Sequence, residues 1–252
     1  MSEPDDFGLP DFFGEPVAAS YDDDSDARFS DEHLVLESGF LAELAGEGGR
    51  ALELAIGTGR VALPLAARGV EVHGIDLSEA MVARLRAKPG GDSIPVTIGD
   101  FTSVDMGAGL FDLVYLVFNT IGNVASQDAQ VATFENAARH LRSGGCFVVE
   151  VHVPGVLTAQ HDHRYQVFHH GEDHHGIDEY DPVTQLMWSH HYSRTADGSF
   201  RRNSVPFRYA WPAEFDLMAR LGGMRLRERW GWWDRTPFTA ASDSHVSVWE
   251  KE

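Results

Sequence analysis

The chain has 252 residues, 43% of them hydrophobic, which is enough for one sizeable core and unlike collagen-like or largely disordered chains. A formal net charge of −19 disfavours a nucleic-acid partner, because duplex affinity comes largely from Lys and Arg on phosphates. The single cysteine, Cys146, excludes an internal disulfide and fits a reducing cytoplasm, and no apolar run approaches the roughly 20 residues needed to span a bilayer, so no membrane partner is expected.

The chain opens on a polar leader, residues 1–29. Ten acids (Glu3, Asp5, Asp6, Asp11, Glu15, Asp22, Asp23, Asp24, Asp26, Asp31) fall in the first 31 residues against one base, Arg28. This reads either as a solvated arm or as a lid that orders over a bound cation. Ser30 then caps a helix over roughly 31–45, with Leu34, Leu36, Phe40, Leu41 and Leu44 on its apolar face, ended by Gly46, Gly48 and Gly49. Ala51–Ile56 reads as a buried strand, Gly59–Arg68 as a helix, Val70–Ile75 as a strand and Ser78–Lys88 as a helix. Strands at Ile94–Ile98 and Phe111–Phe118 follow. A helix over Ser126–Leu141 is stopped by Gly144 and Gly145 and leads to a strand at Cys146–Val153. From Tyr165 to Trp211 apolar and polar residues alternate, with turn signals at Asp181-Pro182 and Asp197-Gly198, which predicts three or four antiparallel strands. Helix returns at Trp211–Leu221, and Arg225–Trp233 with His245–Lys251 form a last antiparallel pair.

Strands alternating with helices predict an α/β fold: a Rossmann-like, seven-stranded, mostly parallel sheet with helices on both faces, plus an antiparallel β insertion before the last helix. The corresponding units are an acidic arm or lid (1–29), a Rossmann-like core (30–155), an antiparallel insertion (156–210), and the last helix with its terminal hairpin (211–252).

The first strand runs into Glu53-Leu54-Ala55-Ile56-Gly57-Thr58-Gly59. Gly57 and Gly59 let backbone approach a nucleotide, and the next helix offers free amides. Asp76, ending the second strand, is placed to accept from two ribose hydroxyls. Gly57 to Ala62 also fits the dinucleotide pattern G-x-G-x-x-G/A, so a nicotinamide-dependent oxidoreductase is the competing reading. Two features oppose it. Glu53 puts a carboxylate inside a buried strand, costly without a partner such as a bound amino group or the glycine loop. Gly99-Asp100-Phe101 follows the third strand, where Asp100 can accept from an adenine amine and Phe101 flank the ring; Asp100 otherwise reads as a turn residue.

These motifs together resemble the class I S-adenosylmethionine-dependent methyltransferases. The resemblance rests on Glu53-x-Ala55-x-Gly57-Thr58-Gly59, Gly74-Ile75-Asp76-Leu77-Ser78, Gly99-Asp100-Phe101 and Leu141-Arg142-Ser143-Gly144-Gly145, and covers residues 35–153. Arg208 to Pro212 and Trp232 to Phe238 are similar to stretches of small-molecule methyltransferases of bacterial secondary metabolism, a group that includes amino-sugar N-methyltransferases. The resemblance implies S-adenosylmethionine as cofactor, held by Tyr21, Glu53, Ala55, Gly57, Thr58, Gly59, Asp76, Leu77, Met81, Asp100, Phe101 and Phe118. It implies a small-molecule acceptor, a secondary metabolite or sugar intermediate, beyond strands four and five. Asn119, Glu150 and His152 are the catalytic candidates there, with His152 a reasonable base near neutral pH. A cofactor-binding protein that does not methylate is the second alternative, and a homodimer is left open. Nine of the thirteen histidines lie between 152 and 191, but neighbours on a strand point to opposite faces, so no metal site is expected. The aromatic residues from Trp188 to Trp233 are expected mainly in the core of the insertion, with some lining an acceptor pocket.

Overall fold

A computed structural model describes residues 13–23, 27–154, 164–195 and 197–252. The rest of the leader and the start of the expected insertion, with His161 and His163, lie outside the described residues, as does residue 196.

A one-turn helix α1 (Glu15–Ala18) precedes α2 (Asp31–Ala45), whose N-cap Ser30 accepts from the His33 amide at 3.3 Å. Next come β1 (Arg50–Leu54), α3 (Ala62–Ala66), β2 (Glu71–Asp76), α4 (Glu79–Arg86), β3 (Val96–Ile98), β4 (Phe111–Leu116), α5 (Gln127–His140) and β5 (Leu141–His152). The insertion supplies β6 (Tyr165–His170), β7 (His174–Asp181), β8 (Leu186–Arg194) and β9 (Phe200–Arg208). Then α6 (Pro212–Leu221), β10 (Met224–Trp230) and β11 (Ser244–Lys251) close the chain.

The main sheet has seven strands in the order β10-β11-β5-β4-β1-β2-β3. Five are parallel; β11 runs antiparallel between β5 and β10. One apolar cluster joins the sheet to α5 and α6, through Phe134, Phe147, Phe215 and Trp249; the other joins it to α2 and α3, through Leu41, Leu65, Tyr115 and Trp233. The strand ends of β1 to β5 therefore open between two packed layers, where ligands of open α/β sheets bind. The insertion is a separate four-stranded antiparallel sheet, β6-β7-β8-β9. Arg208 at the end of β9 ties it down: the buried guanidinium donates to Gln130 on α5 at 2.6 Å and to Glu214 on α6 at 2.6 Å.

Three local expectations are corrected. The helix after the glycine loop is only five residues long, because Gly57 and Gly59 take positive φ and hold residues 57–60 in a turn. Gly144 and Gly145 do not stop α5. It ends at His140, whose ring lies 2.8 Å from the Asn136 carbonyl and 2.8 Å from the Met106 amide, and β5 starts at once. The glycines instead sit where the β4–β5 register jumps from Phe111↔Leu141 to Leu113↔Cys146. Trp233 belongs to the main core, edge-on to Phe40, and Trp230 and Trp232 pack on the same cluster rather than within the insertion.

Candidate active site

The glycine loop is fixed by one carboxylate. Asp76 accepts from the Gly57 amide at 2.6 Å and from the Ser78 amide at 2.8 Å. Burial pushes its pKa up, and these backbone donors oppose the shift. Ala55 shares the positive φ of its glycine neighbours, which an L side chain adopts only under constraint. A Cβ at Gly59 would stand 2.3 Å from Leu85 Cδ1, so this close approach requires glycine. Ser78 caps α4 by accepting from the Met81 amide, which sets Met81 beneath the loop: its methyl lies 3.3 Å from where a Cβ on Gly57 would be.

Glu53 is buried beside the loop, and its partner is Tyr115 of β4 rather than the loop, with the phenol donating at 2.9 Å. Burial raises the Glu53 pKa well above the ordinary range. Beyond β2, Leu77 is 53% exposed, an apolar side chain left uncovered next to a buried carboxylate. The Gly99 amide donates to the Asp76 carbonyl at 2.9 Å, which sets Asp100 beside them. Asp100 is exposed and its Oδ1 accepts from the Thr102 amide, so it makes the turn as well as facing solvent. Phe101 is buried in the main core, and its carbonyl accepts from Asn136.

At the ends of β4 and β5, Phe118 and Asn119 both lie in the left-handed region, with φ of 60° and 59°. Asparagine visits this region readily, but Phe118 there stores strain of order 1–2 kcal/mol unless something holds it. Glu150 does: its Oε2 accepts from the Phe118 amide at 2.6 Å and its carbonyl from the Asn119 amide at 3.2 Å. Asn119 Oδ1 in turn accepts from the His152 amide at 3.1 Å. The Glu150 side chain is 1% exposed, and burial together with the nearby Glu37 charge raises its pKa. His152 is exposed at the rim.

The described part of the leader packs across these strand ends. The Phe13 carbonyl accepts from Ser78 Oγ at 2.6 Å, and Glu15 pairs with Arg84. Asp22 accepts from Thr58 Oγ1 at 2.6 Å and pairs with Lys88 at 2.7 Å, so the leader is latched to the glycine loop. Tyr21, Phe29 and Phe118 form an edge-to-face trio with centroids 5.4–6.3 Å apart. Burial pushes the Tyr21 phenol up to about 12.

Sequence reasoning missed four members of this site. Arg60 donates to Glu37 at 3.0 Å and to the Arg28 carbonyl at 2.9 Å; Arg28 lies over Phe118 and 3.9 Å from Glu150; Lys88 holds the latch. Glu37 had a readable signal: it stands three residues after Leu34 and four before Leu41, inside the apolar stripe of α2. The histidines of the insertion pair across strands, as His174 with His191 at 3.1 Å. Among the described residues, no group of three His, Cys, Asp or Glu is arranged to hold a metal ion, and no helix is long and apolar enough to cross a membrane.

Comparison with known proteins identifies the family. The model of the methyltransferase domain family matches residues 51–145. The chain is similar over 95% of its length, and over 97% of the other, to the methyltransferase CcbJ of Streptomyces caelestis, with 33% identity and a TM-score of 0.82. It is 26% identical over 215 residues, 82% of this chain and 84% of the relative, to the cypemycin N-terminal methyltransferase of a Streptomyces species. It is also 33% identical over 108 residues, 42% of this chain, to YqeM of Bacillus subtilis (strain 168), and spans 43% of that protein's length.

Proposed function

The chain belongs to the S-adenosylmethionine-dependent methyltransferases, and we propose that its acceptor is a small molecule, a secondary metabolite or sugar intermediate, bound beyond β4 and β5. The observation that carries this reading is the staple of Glu150 on the strained Phe118-Asn119 turn, beside the latched leader. Strain stored there and repaid by a buried carboxylate marks a place where side-chain position matters to chemistry.

The residues around the loop fit the cofactor. Gly57 and Gly59 leave backbone bare, Asp76 and Asp100 are oxygen acceptors at adjacent strand ends, and exposed Leu77 offers an apolar face to a ring. When bound, S-adenosylmethionine supplies an electrophilic methyl group on a cationic sulfur. The protein's part is to hold an acceptor in line with it, worth up to about 7–11 kcal/mol of the barrier. Phe118, Tyr21 and Phe29 exclude water from that line. Asn119 orients the turn, Glu150 is a buried carboxylate able to take a proton, and His152 is a rim base. The described part of the leader, Phe13 to Asp23 and Ala27 to Phe29, acts as a lid, and β6 to β9 form the acceptor side. The Streptomyces relative is named as a cypemycin N-terminal methyltransferase, which supports an acceptor outside nucleic acid, as does the net charge of −19. The buried lone Cys146 supports a cytoplasmic location, and a homodimer is compatible with the exposed strand β6.

The test is formation of S-adenosylhomocysteine in the presence of a library of small metabolites and aminosugars. Release that depends on an acceptor supports the proposal. Tight cofactor binding with no acceptor-dependent release across the library would instead favour a non-methylating binder.

A further inference from the structure

Behind Phe118 lies a cluster of charge that the glycine loop does not use. Glu150 and Glu37 are 1% and 0% exposed, on β5 and α2. Each has one satisfied oxygen: Glu150 Oε2 accepts from the Phe118 amide, and Glu37 Oε2 from Arg60, with His33 at 3.3 Å. The other oxygen of each, Glu150 Oε1 and Glu37 Oε1, is buried and accepts no hydrogen bond among the described residues. A buried carboxylate oxygen left so is costly, and it calls for a donor that carries positive charge. Aromatic faces complete the surroundings. Arg28 stacks 4.0 Å and Arg60 4.8 Å from the Phe118 centroid, and Arg60 lies 5.5 Å from that of Phe29.

Resting on the methyltransferase reading, we propose that this is the recognition site for a protonated amine of the acceptor, and that Arg28 of the leader occupies it until the acceptor arrives. Arg28 is the leader's one base within residues 1–31, and it is set 3.9 Å from Glu150, too far for a hydrogen bond. An acceptor ammonium satisfies the same ring face and, being small and unanchored, can also donate to Glu150 Oε1 at full hydrogen-bond contact. A sulfonium shares the preference for aromatic faces but has no N–H to donate, so the orphan oxygens select for an amine. In the reaction the ammonium gives one proton to the Glu150 carboxylate, which frees its lone pair. The N–C bond forms as the methyl C–S bond breaks, and the sulfur leaves as a neutral thioether with that electron pair.

The test uses the full chain with Arg28→Ala, and Arg28→Gln in case the smaller side chain unsettles the leader. Thermal melts are run with methylammonium chloride, trimethylsulfonium chloride, sodium acetate and sodium chloride at equal ionic strength. Methylammonium should raise the melting temperature of both variants by a saturable ~2–4 °C over sodium chloride, as occupancy of one site predicts. It should leave Arg28→Lys, which carries its own ammonium, unmoved. Equal stabilisation by trimethylsulfonium would mean that the ring faces read only the cofactor's charge. Stabilisation by acetate would mean that the site reads an anion, and no methylammonium effect in either neutral variant would mean there is no amine site. Each of these three results overturns the proposal. A melt of the wild type with S-adenosylmethionine, run alongside, reports separately on the methyltransferase reading.

Discussion

Replacing Asp76 by alanine should lower S-adenosylmethionine affinity by about 1–3 kcal/mol, roughly 5- to 150-fold, and should also destabilise the free protein by a similar amount. Both effects have one source. The Asp76 carboxylate is the acceptor for the Gly57 and Ser78 amides, so its loss leaves two donors at the loop without their partner before any ligand enters. Asp100→Ala should separate the two effects. Asp100 is exposed, and its side-chain bond to Thr102 closes a surface turn, so affinity should fall while the melting temperature stays nearly level. Calorimetric titration and thermal melts of the two variants check this together. Unchanged affinity in both would place the cofactor elsewhere.

Glu150→Gln should cost roughly 10²- to 10⁴-fold in kcat, the usual contribution of a positioned base, while cofactor affinity stays within about threefold. Glutamine can still accept from the Phe118 amide, so the strained turn is kept and only proton uptake is lost. Burial and Glu37 raise the pKa of Glu150, and Arg28, the Phe118 amide and Arg60 oppose that shift. The acid limb of kcat/KM should therefore lie above the ordinary carboxylate range, with activity lost as pH falls and the base takes a proton. Arg28→Gln removes an opposing positive charge, so it should move the limb to higher pH. A Glu150→Gln enzyme with wild-type kcat and an unshifted limb would reduce Glu150 to a support for Phe118.

The sequence carries the parallel half of this fold well because its signals are local. Each βα boundary has a capping serine or a glycine turn, and the buried strands are short apolar runs. The β4–β5 offset was not legible, because nothing local in Leu141 to Cys146 announces that a strand can start before its glycines. The loop residues Gly57, Gly59 and Asp76 were likewise readable from spacing. The partners that give them meaning were not: Tyr115 for Glu53 is 62 residues away, and Lys88 for Asp22 is on another element. Arg28 illustrates the same limit. Its rarity in an acidic leader was visible, but its place over Phe118 depends on how the leader crosses the strand ends, a tertiary fact.

The central claim is the identity of the cofactor, and titration calorimetry of the wild-type chain tests it most directly. S-adenosylmethionine and S-adenosylhomocysteine should each bind saturably to one site, with NAD giving no heat above dilution. Saturable NAD binding without a response to S-adenosylmethionine would contradict the account.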